Sequence, residues 1–186
     1  GNSSRFKSDT PKQYHKIAGK TLIDISINKI KSFKEIKKIV FVYKSEHRKY
    51  LEMLNLKGVK IIKGGITRNI STLNALNYLK KQKNISKVLI HDAARPNFSK
   101  KLIKNILINS KKKIGVIPVL KLHDALKEIK STTFTSSLKR NRFFLTQTPQ
   151  CFNVSEIHKL HKEFKDRYND DDYSLFPDSS KIKLIR

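Results

Sequence analysis

Lys87-Val88-Leu89-Ile90-His91-Asp92-Ala93-Ala94-Arg95-Pro96 is the stretch on which the fold turns. Its first four residues form a short β-prone run, read as a buried strand. The next six change character at once: a carboxylate, two small residues and a guanidinium. In open α/β sheets ligands bind beyond the carboxyl ends of strands, so such a loop is where function belongs. The Asp92 carboxylate suits Mg²⁺ by oxygen ligation, and Ala93 and Ala94 leave room for a nucleoside. A solvated Asp/Arg pair ending a strand is the plainer reading.

Outward from this stretch, β-branched runs alternate with segments of helical period, the pattern of a mostly parallel sheet flanked by helices. Upstream, Ile23, Ile27 and Ile30 share one helical face, Ile39 to Tyr43 reads as a buried strand, and Arg48 to Leu54 as a helical segment. Val59 to Ile62 is the next strand, and Ile70, Leu73, Leu76 and Leu79 mark the next helix. Downstream, a helix over Ser99 to Ser110 precedes a strand over Ile114 to Ile117. From Leu120 to Leu145 the pattern loosens into short β-like pieces, as in a β-arm. Val154, Ile157, Leu160, Phe164 and Tyr168 restore a helical stripe, and Lys181 to Ile185 reads as a last strand. A length of 186 residues is that of one ordinary domain.

Composition narrows the partners. Lys plus Arg number 41 against 15 Asp plus Glu, a net charge of +26 that draws any polyanion: nucleic acid, anionic lipid or small phosphorylated substrates. The lysines are scattered over every segment, so a Lys-rich background accounts for them as well. A single cysteine, Cys151, excludes an internal disulfide and any multi-thiolate metal site. No run approaches the roughly 18 apolar residues of a membrane span, so a soluble, non-membrane protein is expected. Aromatic stacking strings among basic residues are absent, which argues against a nucleic-acid partner.

Two more loops suit phosphate. Gly64-Gly65-Ile66-Thr67-Arg68 follows a strand and opens a helix, bringing backbone N–H groups and a cation to one place. Gly1 to Arg5, followed by Pro11-Lys12-Gln13-Tyr14, offers a small-residue loop with Arg5 and Lys12 to hold a triphosphate. Gly19-Lys20-Thr21 mimics the end of a P-loop, but the required first Gly falls at Tyr14. His158 and His161 lie three apart on a helix without further ligands, and read as an exposed or half-buried pair. Asp170-Asp171-Asp172 reads either as metal ligands or as an acidic loop closing that helix.

Taken in order, Gly1 to Arg5 with Pro11 to Tyr14, Gly64-Gly65 with Arg68 and Ser71, His91 to Pro96, Asp124 to Lys127 and Thr146 to Gln150 resemble the 2-C-methyl-D-erythritol 4-phosphate cytidylyltransferases of the non-mevalonate isoprenoid pathway. The resemblance implies a Rossmann-like, three-layer nucleotidyltransferase fold with residues 120–145 as an arm that interlocks a homodimer. It also implies that the chain, a single domain over residues 1–186, lacks the family's first strand and C-terminal segment. By resemblance, Gly1, Gly65, Arg68, Ser71 and Ala93 are nucleotide-side residues, Arg5 and Lys12 act on the phosphates, and Asp92 holds Mg²⁺. Arg95, Arg140 and Thr148 face the acceptor phosphate, Arg140 across the dimer.

The implied reaction joins CTP to a sugar-alcohol phosphate in the cytoplasm, or in a plastid if a transit peptide precedes the chain. Ala125, Ile66 and Asp170 stand where the family usually has Thr, Asp and Thr, departures that bear on the acceptor. The nearest alternative is a ribitol 5-phosphate cytidylyltransferase; Ala94 favours the erythritol enzyme. A basic nucleic-acid-binding module and a non-catalytic dimerisation partner are readings of other classes.

Overall fold

Thr21 starts the first long helix because its hydroxyl oxygen accepts from the Asp24 N–H at 3.0 Å while its own proton goes to the Asp24 carboxylate at 2.8 Å. The same carboxylate accepts from the Asn55 N–H at 2.9 Å, fixing the helix to a distant loop. The structure, a computed structural model, describes residues 8–111, 114–131, 133–165, 171–178 and 180–186.

A small hairpin, β1 (Lys16–Ile17) with β2 (Lys20–Thr21), leads into α1 (Leu22–Lys31). β3 (Val40–Tyr43) pairs in parallel with β4 (Lys60–Lys63), across a 3-10 segment at Ser45–Met53 where sequence periodicity predicts a helical turn. Then come α2 (Arg68–Lys80), β5 (Lys87–Ile90), α3 (Lys100–Ser110) and β6 (Gly115–Lys121). β7 (Leu126–Lys130) and β8 (Thr133–Leu138) form an antiparallel hairpin of their own, and β9 (Phe144–Thr146) returns to pair with the outer end of β6. β10 (Gln150–Asn153), α4 (Val154–Glu163) and β11 (Ile182–Ile185) complete the order.

The larger sheet runs β11-β6-β10-β5. β11 is parallel to β6, while β10 lies antiparallel between β5 and β6, so β5, β6 and β11 all point one way. Alternation along the strands proves both faces covered. Val116 and Cys151 join a cluster with Phe98, Ile103 and Ile106 from the α3 side. Their neighbours Ile117 and Phe152 join Leu76 of α2 and Ile157 of α4 on the other. This is the three-layer α/β arrangement expected. No described helix is long and apolar enough to cross a membrane.

β3 and β5 do not pair. Between them lies a cleft of about 610 Å³ walled by Val40 to Val42 and Val88 to Ile90, with Ile23, Ile27, Leu76 and Leu79 closing it. Its rim carries Arg68, Ser71, His91, Asp92 and Ala93, so the cleft opens among the loops singled out from sequence.

Candidate active site

The loop after β5 is built around His91. Its Nε2–H donates to the Arg95 carbonyl at 3.0 Å; Nδ1 is therefore the acceptor, and the Thr148 hydroxyl donates to it at 3.0 Å. Thr148 in turn accepts from the Asp92 N–H at 3.3 Å. Burial pushes the His91 pKa down to about 4, outweighing the nearby Asp92 charge, so the ring is neutral at physiological pH. One uncharged imidazole thus ties together Asp92, Arg95 and Thr148, which sequence spacing places 56 residues apart at its widest.

Arg95 spans the mouth of this loop. Nε meets Asp92 Oδ2 at 2.9 Å and Nη1 donates to Gln147 Oε1 at 3.2 Å. From beneath, α1 holds the loop backbone: Ser26 Oγ donates to the Ala93 carbonyl at 3.0 Å, and Lys29 Nζ donates to the Pro96 and Phe98 carbonyls at 2.8 and 2.9 Å. The backbone of Ala93 is therefore fixed before any ligand arrives.

The Gly64-Gly65 turn needs glycine for space. A Cβ on Gly65 would stand 2.1 Å from Ile70 Cγ2 and 2.7 Å from Ile70 Cβ, and one on Gly64 would stand 2.7 Å from Ser71 Oγ. Ser71 Oγ accepts from the Gly65 N–H at 3.1 Å and donates to the Thr67 carbonyl at 2.8 Å, locking turn to helix. Thr67 caps α2 by accepting from the Ile70 N–H at 3.1 Å.

Arg68, first in α2, is bound bidentately by Asp172, at 3.1 and 2.5 Å. Burial acts to lower the Arg68 pKa, but the Asp172 hydrogen bonds and charge win and raise it. For Asp172, fully buried, burial acts upward and the hydrogen bonds from His161 and Arg68 carry its pKa below the usual carboxylate value. Sequence reasoning missed this partner, which lies 104 residues away.

His158 and His161 are a correction: both are buried, at 8% and 0% exposure, and neither is part of a metal cluster among the described residues. His158 Nε2 meets Asn77 Oδ1 at 2.8 Å, and His161 lies between Asn69 and Asp172. They face α2 because α4 packs against it. Asp171 also turns inward, accepting from Gln150 Nε2 at 3.0 Å. Gln150 Oε1 is the one buried side-chain nitrogen or oxygen among the described residues left without a hydrogen-bond partner.

Lys12 sits on the 3-10 turn Lys12–Tyr14, anchored by Tyr14, which is buried and stacks on Tyr50 with ring centres 4.4 Å apart. Gly1 and Arg5 lie outside the described residues, as does Asp170. Arg140 is held on the arm side, where Nη1 donates to the His123 carbonyl; the bonds that gather Arg95 and Thr148 do not include it. Cys151 is buried, and burial pushes its thiol pKa up, which leaves it without reactive character.

As a cation site, the group offers one carboxylate, Asp92, 41% exposed and beside Arg95. Mg²⁺ is usually held by one or two carboxylates, waters and substrate phosphates, so a lone carboxylate fits it better than any all-protein cage would.

The sequence pattern of the 2-C-methyl-D-erythritol 4-phosphate cytidylyltransferases matches residues 1–178. The bifunctional enzyme IspD/IspF of Pelagibacter ubique is 40% identical over 186 residues, covering 100% of this chain and 50% of that protein. The chain thus spans about half the length of that relative. The 2-C-methyl-D-erythritol 4-phosphate cytidylyltransferase of Thermosipho melanesiensis is 34% identical over 92% of this chain and 78% of its own length. Among solved structures, the bifunctional IspDF of Campylobacter jejuni superposes with a TM-score of 0.81 at 27% identity, over 100% of this chain and 47% of that one.

Proposed function

Because the chain belongs to the 2-C-methyl-D-erythritol 4-phosphate cytidylyltransferase family, we propose that it transfers CMP from CTP to 2-C-methyl-D-erythritol 4-phosphate, giving 4-diphosphocytidyl-2-C-methyl-D-erythritol and pyrophosphate. The observation that carries this reading is the His91-centred cluster: His91 and Asp92, which line the cleft with Ala93, Ser71 and Arg68, are locked to Arg95 and Thr148.

In this reading an acceptor phosphate oxygen attacks the α-phosphorus of CTP in line. The new P–O bond forms as the bond to the β-phosphate oxygen breaks, and pyrophosphate leaves. The attacking phosphate is already ionised, so no general base is required. The chain's part is placement and charge. Gly1, Gly65, Ser71 and Ala93 take the nucleotide, with Arg68 beside them; Arg5 and Lys12 stabilise charge on the transferring and leaving phosphates. Arg95 and Thr148 take the acceptor phosphate, joined by Arg140 from the other subunit of a homodimer. Asp92 would hold Mg²⁺, which when bound neutralises phosphate charge.

The arm supports the dimer. Ile129 and Phe134 are register partners on β7 and β8, and are 63% and 56% exposed. Such an apolar pair on a two-stranded ribbon calls for a cover. The compartment proposed is the cytoplasm.

The test is pyrophosphate release by the native-length protein given CTP, Mg²⁺ and either methylerythritol phosphate or ribitol phosphate, with Arg5→Ala and Lys12→Ala as controls. Release with methylerythritol phosphate only, with kcat lowered roughly 100-fold in each control, is expected. Release only with ribitol phosphate, or with neither, refutes the reading.

A further inference from the structure

Arg68 is the exposed end of a hydrogen-bonded chain whose other members are sealed from water. Asp172 Oδ1 accepts from both Arg68 Nη1 at 3.1 Å and His161 Nε2 at 2.9 Å, and Oδ2 from Arg68 Nη2 at 2.5 Å. Side-chain exposure is 37% for Arg68 and 0% for both Asp172 and His161.

The hydrogen bonds also fix the form of the ring. Asn69 Nδ2 donates to the Phe164 carbonyl at 2.6 Å, which turns Asn69 Oδ1 toward His161 Nδ1. Both ring nitrogens therefore face acceptors, a carboxylate on one side and an amide oxygen on the other. Nε2–H donates to the carboxylate, so the ring is held from both sides.

Such a triad is a poor way to gain stability, since well-packed apolar residues often do as well at less desolvation cost. What it does supply is direction. The planar fork of Arg68 is held at two points, and the carboxylate that holds it is itself held by His161. The loop bearing Asp172 is pinned separately, with Asp171 accepting from Gln150 Nε2 and from the Ser174 N–H, each at 3.0 Å. Arg68 in turn lines the same cleft rim as Ser71, Asp92 and Ala93.

We propose that Asp172 and His161 are positioning residues for nucleotide binding, holding the Arg68 guanidinium, through a buried histidine–carboxylate pair, beside the nucleotide at the cleft rim. The inference rests on the cytidylyltransfer reading and adds two residues to that site. Neither touches substrate; both act through Arg68.

The experiment uses native-length protein and compares wild type, Arg68→Ala, Asp172→Asn, His161→Gln and the Arg68→Ala/Asp172→Asn pair, each assayed well below its own melting temperature. Asp172→Asn is expected to raise the KM for CTP on the order of 10- to 100-fold, while the KM for methylerythritol phosphate stays within about twofold. The double variant is expected to match Arg68→Ala alone, because the Asp172 effect runs through Arg68. A merely structural Asp172 would instead leave both KM values in place, or add its loss in full to that of Arg68→Ala, and either result overturns the proposal. A second readout needs no variant to fold: ¹⁵N spectra of wild-type protein should show His161 Nε2 carrying the proton it donates to Asp172, and an unprotonated Nε2 overturns the proposal. Failure of the cytidylyltransfer reading would be visible in wild type itself, as absence of turnover and of CTP binding by calorimetry; failure of the positioning role would appear only in the variants.

Discussion

His91 shows how much one side chain can organise. Its neutral ring accepts from Thr148 and donates to the Arg95 carbonyl, and adding a proton would break the first bond. Burial sets its pKa at about 4 against an ordinary 6.5, so the unfolded chain takes up this proton first as pH falls. The stability due to the neutral ring is present in full above pH 6.5 and is lost between there and pH 4, about 3 kcal/mol across the window. Urea unfolding at pH 7.5 and 4.5 should therefore show a smaller pH dependence in His91→Gln than in wild type; equal dependence would remove His91 as the source. Much of this residue-scale detail was legible in sequence as a place but not as a bond pattern. Spacing put Asp92, Ala93 and Arg95 after a strand, yet nothing in a linear string assigns Thr148 to His91 across 57 positions.

Among elements, those with strong periodicity were readable and those built by context were not. β3, β5 and α3 appear where β-branched runs or apolar stripes predicted them, and α4 carries the stripe from Val154 to Leu160, with Phe164 at its end and Tyr168 outside the described residues. β10 went unread because Gln150-Cys151-Phe152-Asn153 lacks β-branched residues and follows a proline; its strand state comes from pairing with β5 and β6. The burial of His158 and His161 went unread for a related reason: their partners Asn77 and Asn69 belong to another helix. The loose region after Leu120 holds the β7–β8 hairpin, and it carries its own prediction. Replacing Ile129 and Phe134 together by Lys should convert the proposed dimer to monomer in sedimentation velocity at micromolar concentration, with the melting temperature of the body little changed. A dimer that survives the double replacement would remove the arm as the interface.

At the scale of the whole molecule, a charge of +26 on 186 residues is a standing self-repulsion. Salt screens it, so the melting temperature should rise by about 5 °C between 50 and 500 mM NaCl. A fall instead would mean that specific ion pairs outweigh the net charge.

The sheet's strand order also bears on how the molecule comes into being. β10 lies between β5 and β6 but is translated after both. A nascent chain that has not yet delivered Gln150 to Asn153 from the ribosome holds two neighbours with nothing to join them. The centre of the sheet is closed only after both its neighbours exist, across contacts some 36 and 60 residues apart in sequence, and such distant pairing slows folding. Until then the facing edges of β5 and β6 stand open to whatever else is in solution, which places the window for chaperone capture before Gln150 to Asn153 emerge.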